Sequence, residues 1–207
     1  MNVTCLIRER RTFVLQNKEP IVIELNIKKL MIDNIVITIG LVILFIAIQY
    51  ICFKDFHFSF WAFIGGTVLF VILYVVFIIL HEAFHLLGFM LFGKVPLKSL
   101  QYGINLELGV AYATTTKPLY NHAMKRALLL PFWTTGVLPT IAGFYFNNTI
   151  LILVGALLIA GAVGDFAMYK ELRKYPNNAL VQDDPKLPKL YVYIENDHSP
   201  RQDTYEN

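Results

Sequence analysis

Charge is what this chain has least of. Only 16% of its 207 residues are Asp, Glu, Lys or Arg, while 56% are hydrophobic and the mean hydropathy is +0.54. That composition excludes an ordinary soluble domain, which does not need so much apolar surface. Cysteine is nearly missing as well. Cys5 lies in the N-terminal segment and Cys52 near the far end of the first apolar run, so neither a disulfide nor a cysteine-based zinc site is expected. No basic stripe interleaved with aromatics is present, which leaves nucleic acid out of the expected partners. The first apolar run starts deep in the chain and lacks a small-residue cleavage site, so it reads as a retained span rather than a signal peptide.

What the chain does have is length of apolar sequence. Four segments are long enough to cross a bilayer: about Ile35–Phe53, Phe60–Phe92, Ala127–Phe146 and Thr149–Tyr169. They predict an all-α membrane protein of about four transmembrane helices, with a short β-hairpin between helices 2 and 3. Residues 1–33 form an N-terminal segment, 34–170 the membrane domain and 171–207 a partly disordered tail. Arg8, Arg10, Arg11, Lys18, Lys28 and Lys29 precede the first span. Lys94, Lys98, Lys117, Lys125 and Arg126 lie between the second and third spans, and Lys170, Arg173, Lys174, Lys186, Lys189 and Arg201 follow the fourth. The opposite connections carry only Lys54. By the positive-inside rule both termini are cytoplasmic, and the bilayer is an expected partner.

Into the end of the second span the sequence sets His81-Glu82-Ala83-Phe84-His85. Ionisable residues are costly there and read as functional. On a helix, positions i and i+4 share a face, so His81 and His85 can converge on one ion, with Glu82 beside them. This is the HExxH arrangement, in which two neutral imidazoles hold Zn²⁺ and the glutamate serves as general base. Gly88, three residues after His85, offers a bare patch on the same face for another element to approach.

The remaining stretches suggest how such a site is completed. Ile21–Leu25 reads as a short strand or as the lead-in to an interfacial helix through Lys28 and Lys29. His57 reads as a loop histidine. Leu100–Ile104 and Gly109–Thr114 read as a hairpin turning at 105–109, whose open edge could take up an extended peptide. Pro131 and Pro139 favour kinks in the third span. Leu190–Ile194 reads as a strand. Asp165 stands alone in the fourth span, with Gly161 and Ala162 clearing its face one turn earlier. Counted from the outer span ends, it lies about 24 Å deep and His81 about 31 Å, which are compatible depths. A catalytic zinc takes three protein ligands. Candidates for the third are Asp165, Glu107, His122 and the Asp183–Asp184 pair, with Asp165 favoured because a lone membrane carboxylate needs a partner.

His81–His85 on a second span, a hairpin after it, and Gly164-Asp165 on a later span resemble a family of small bacterial membrane proteins. These are the putative zincin peptidases, a family defined as a domain of unknown function. More distantly the pattern is similar to site-2 proteases, which cut peptides within or beside the membrane. The resemblance runs from about His57 to Tyr193. It implies zinc ligands His81, His85 and Asp165, Glu82 as base, a membrane-protein or peptide substrate, and a multi-pass protein of the bacterial cell membrane. Two departures stand out. Site-2 proteases carry Asn-Pro before an Asp-Gly, whereas here Gly161-Ala162-Val163-Gly164 precedes Asp165 and Phe166 follows it. Asp183-Asp184-Pro185 looks like the family's Asp-His-Pro with Asp184 in the histidine position. Two other classes use the same residues: a proton- or metal-ion transporter, and an inactive zinc-bearing scaffold.

The orientation is testable by cysteine labelling. A cysteine at Asn147 should react with an impermeant reagent outside intact cells, and one at Asn207 should not. External labelling of Asn207 contradicts the orientation.

Overall fold

The computed structural model describes residues 19–54, 59–105, 110–184 and 189–194. Strand β1 (Ile21–Glu24) leads into helix α1 (Ile27–Phe53), and α2 (Phe60–Gly93) follows. Strands β2 (Leu100–Asn105), β3 (Val110–Thr115) and β4 (Leu119–Tyr120) precede α3 (Asn121–Pro131). A π-helical turn over Phe132–Val137 joins α3 to α4 (Leu138–Tyr145). Then come α5 (Thr149–Gly161), α6 (Val163–Leu172), β5 (Leu180–Asp183) and β6 (Lys189–Tyr193).

Among the described residues, four helical runs are long and apolar enough to cross a membrane: Ile27–Phe53, Phe60–Gly93, Asn121–Tyr145 and Thr149–Leu172. They match the four expected segments, with earlier starts for the first and third. The strand and the helix weighed for the segment around Ile21 both form, one after the other. Asn26 separates them by capping α1, its Oδ1 accepting from the Lys29 N–H at 3.0 Å.

The all-α expectation is corrected. The hairpin forms as expected, β2 against β3 from Leu100↔Thr115 to Asn105↔Val110. A second, antiparallel sheet of order β1-β6-β5-β4 stands beside it. It draws Ile21–Glu24 and Lys189–Tyr193 together, with Glu24 and Lys189 joined at 3.2 Å. Strand β1 precedes α1, β2–β4 connect α2 to α3, and β5 and β6 follow α6, so every strand lies at the same end of the bundle. The inner faces of β1, β5 and β6 bury Ile23, Val181, Leu190 and Val192 against Phe89, Met124, Leu128 and Leu172.

Polar side chains in the helices fix their register. Gln49 donates to Asn147 Oδ1 at 2.8 Å and to Thr149 Oγ1 at 3.0 Å, tying α1 to the α4–α5 turn. At the other end Asn34 donates to the Ala160 carbonyl at 3.0 Å, where α5 and α6 part at Ala162. The buried Asn121 side chain reaches the carbonyls of Leu172 and Tyr175, both at 2.9 Å, which binds the start of α3 to the end of α6.

Small residues set two close approaches. A Cβ on Gly155 would strike Thr140, so α5 packs directly on α4. A Cβ on Gly88 would meet Ala127 Cα at 2.8 Å and its Cβ at 3.0 Å, which is the approach expected of α2. Gly161, in contrast, faces open space and clears nothing for a neighbouring helix. Gly88→Ala should therefore cost about 1–3 kcal/mol through overpacking, while Gly161→Ala should be neutral or mildly stabilising. Thermal unfolding of both variants in detergent checks this, and equal melting points would refute the close α2–α3 contact.

Candidate metal centre

The site grows from the last turns of α2. His81 and His85 are both buried, with ring centroids 5.0 Å apart at 78°. Across from them, Asp165 sits in the first turn of α6, just past the break at Ala162. A carboxylate is favoured at that position by the helix dipole. Asp165 Oδ2 lies 3.3 Å from His81 Nε2, and Oδ1 lies 3.4 Å from His85 Nε2. The donor atoms of the three residues all fall within 4.8 Å of one another.

The outer ring nitrogens decide what the inner ones present. His85 Nδ1 is 3.2 Å from the Ala127 carbonyl, which can only accept, so Nδ1 carries the proton. His81 Nδ1 is 3.1 Å from Thr135 Oγ1. That hydroxyl already donates to the Pro131 carbonyl at 2.8 Å, so it accepts from His81. With Nδ1 engaged as the donor on both rings, each Nε2 points at the carboxylate. A proton or a metal ion can join each imidazole to the carboxylate. Tetrahedral zinc with bonds near 2.0–2.2 Å sets its ligands about 3.4 Å apart, which is the spacing Asp165 keeps from each imidazole. The residues fit the metal.

Glu82 is half-buried and within electrostatic reach of His81, His85 and Asp165. On the strand side, β5 brings in Asp183. Its neighbour Gln182 donates to the Thr115 carbonyl on β3 at 3.0 Å, which holds β5 to the hairpin. Burial pushes the Asp183 carboxyl up to about 7, against the opposing pull of Thr114, of His85 and of the Asp184 backbone. Thr114 Oγ1 is itself buried and completes no hydrogen bond among the described residues, so its approach to Asp183 falls short of a formed bond.

The other candidates for third ligand do not join the group. His122 is exposed, with Nδ1 donating to the Asn177 carbonyl at 3.1 Å. Asp184 accepts from the Tyr191 hydroxyl at 2.8 Å. Glu107 and His57 lie outside the described residues. Asp183 comes near His85 but stands outside the converging set. Sequence reasoning missed Thr135 and the Ala127 carbonyl. Thr135 had a weak signal, lying four residues after Pro131 where a helix is prone to distort, and a backbone carbonyl had none.

Asp183 gives a pH signature in metal-free protein. Its folded value stands above the ordinary 3.8. Between about pH 4 and 7 the folded chain therefore keeps a proton that the unfolded chain has released, and stability falls as pH rises through that window. Asp183→Asn should flatten the slope and raise the melting temperature at pH 8. A slope unchanged by the substitution would put the carboxyl in water.

Comparison with curated proteins and with solved structures returns no match. A family model described as putative zincin peptidase matches residues 74–180, a stretch that holds His81, Glu82, His85, the hairpin and Asp165. That match spans more than half of the chain, and the protein belongs to the putative zincin peptidase family.

Proposed function

We propose that the protein is a zinc-dependent peptidase that hydrolyses peptide bonds of membrane proteins within or beside the bilayer. The observation that carries it is the convergence of two Nε2 atoms and the Asp165 carboxylate, with both outer ring nitrogens already committed to Thr135 and Ala127. Zinc held by His81, His85 and Asp165 would supply a Lewis acid for a carbonyl and acidify its own water.

The protein's side chains supply the rest. Thr135 and Ala127 fix the tautomer and the aim of the imidazoles, as such partners do for metal-bound histidines. Glu82 accepts the proton of the attacking water and returns it to the leaving amine. The side chains of His81, His85 and Asp165 expose only 11, 9 and 16% of their surface, which restricts the water reaching them.

A membrane setting is supported by what the helices leave uncovered. α1 buries none of its residues, and Ile43, Ile51 and Trp61 are 66, 69 and 79% exposed. Such apolar surface on one molecule calls for lipid or a partner. Likeness to site-2 proteases rests on the histidine pair and Asp165 alone, and the substrate's membrane character follows from the setting.

One set of variants tests the proposal. Purified protein should hold about one zinc per chain, and His85→Ala and Asp165→Ala should lose most of it. Glu82→Gln should keep the zinc and lose roughly 10²–10⁴ in cleavage rate on single-span membrane peptides. Equal cleavage by Glu82→Gln and wild type removes Glu82 from the chemistry. Zinc- or proton-coupled flux in liposomes without cleavage of any peptide would point to a transporter instead.

A further inference from the structure

A cleft of about 480 Å³ opens on the side of α3, lined by His122, Lys125, Arg126, Leu129, Leu130 and Trp133 of α3 and the π-helical turn, and closed by Phe92, Tyr169 and Asn177. Those first six residues follow i, i+3, i+4, i+7, i+8, i+11 spacing, a single stripe down the helix. The opposite face carries Ala123, Met124, Ala127, Leu128 and Pro131 and is buried in the bundle, where it supports His85. None of His81, His85 or Asp165 lines the cleft, so it is separate from the metal centre.

Along the stripe chemistry changes with depth. Basic side chains occupy the first turn and a half: His122, Lys125 and Arg126. The turns below are apolar, ending at Trp133, which is 59% exposed. Among the described residues, no acidic side chain lines the cleft. Asn177 holds two of the three basic groups in place, accepting from Lys125 Nζ at 2.8 Å through Oδ1 and from His122 through its carbonyl. Arg126 is exposed and has no side-chain partner among the described residues.

We infer that this cleft is a binding site for an anionic phospholipid. Its phosphate would lie against Lys125 and Arg126, and an acyl chain would run past Leu129, Leu130 and Trp133. Charge complementarity selects the anion, since among the described residues Lys125 and Arg126 carry the only formal charges in the lining. The apolar depth selects a lipid over a free anion, which could use only the top of the stripe. Basic pockets between helices at a membrane face bind such headgroups. The inference rests on the membrane reading of the helices but not on peptidase activity.

Thermal unfolding of zinc-loaded protein in neutral detergent tests it, with phosphatidylglycerol, phosphatidylcholine of the same chains, or inorganic phosphate added. At about 100 times its Kd, phosphatidylglycerol should raise the melting temperature by roughly 5–10 °C. Phosphatidylcholine and phosphate should do little. K125Q/R126Q should lose the response while keeping its zinc, and K125R/R126K should retain it. An equal shift with phosphatidylcholine, a full shift with phosphate alone, or an undiminished response in K125Q/R126Q each overturns the proposal. If both glutamine and charge-retaining variants fail to fold, loss of the lipid adduct in native mass spectra of the Arg126→Gln single variant serves in their place, and an adduct that persists counts against the site. Failure of the membrane reading would show separately, as protein that stays in solution without detergent.

Discussion

Burying a carboxylate between two imidazoles inside an apolar bundle is the constraint from which the rest of the architecture follows. Charge taken out of water is costly unless it is paired and hydrogen-bonded. Asp165 meets His81 and His85 at 3.3 and 3.4 Å, and each imidazole has a second partner behind it. Positions that break helical regularity nearby can be understood by what they do for this cluster.

Gly88 lets α3 come so close that the Ala127 carbonyl reaches His85. That carbonyl is available because Pro131, four residues on, has no N–H to offer it. The irregularity continues into the π-helical turn, where Thr135 closes onto the Pro131 carbonyl and faces His81. Single π turns of this kind recur at functional sites. The break at Ala162 starts a new helix just before Asp165, and Asn34 takes up the carbonyl of Ala160 beside it. One proline supports both histidines, through a missing donor on one side and an engaged acceptor on the other.

The spans and the histidine motif were legible in the sequence because both depend on local spacing: an apolar run is its own signal, and i, i+4 places two side chains on one face whatever the tertiary structure. Asp165 stood out because a solitary carboxylate in an apolar helix must find a partner, and the structure sets it against His81 and His85. The second sheet was not legible as a sheet. β1 and β4 are only four and two residues long, and β1 pairs with β6 from the far end of the chain, Ile21 opposite Val192. Ile21–Leu25 and Leu190–Ile194 each looked like a strand, yet no period within either segment names its partner. Thr135 and Ala127 were hidden for a related reason: their roles come from where α3 lies, and that follows from a contact between Gly88 and a backbone atom.

The sheet also explains why a polar residue such as Asp183 stands near the metal centre. A carboxyl on a lipid-facing helix would be exposed to hydrocarbon, and on a free loop it would be in water. β5 offers a third environment. Val181 and Leu180 anchor the strand in the core, Gln182 ties it to β3, and Asp183 is left enclosed by protein within the field of His85. The same strand pairs with β4, which runs directly into α3 and so into the Ala127 carbonyl. Segments from both ends of the chain therefore converge on one end of the helix bundle. There they form a cover, so that the three residues of the candidate metal group come from the helices and Asp183 beside them from the sheet.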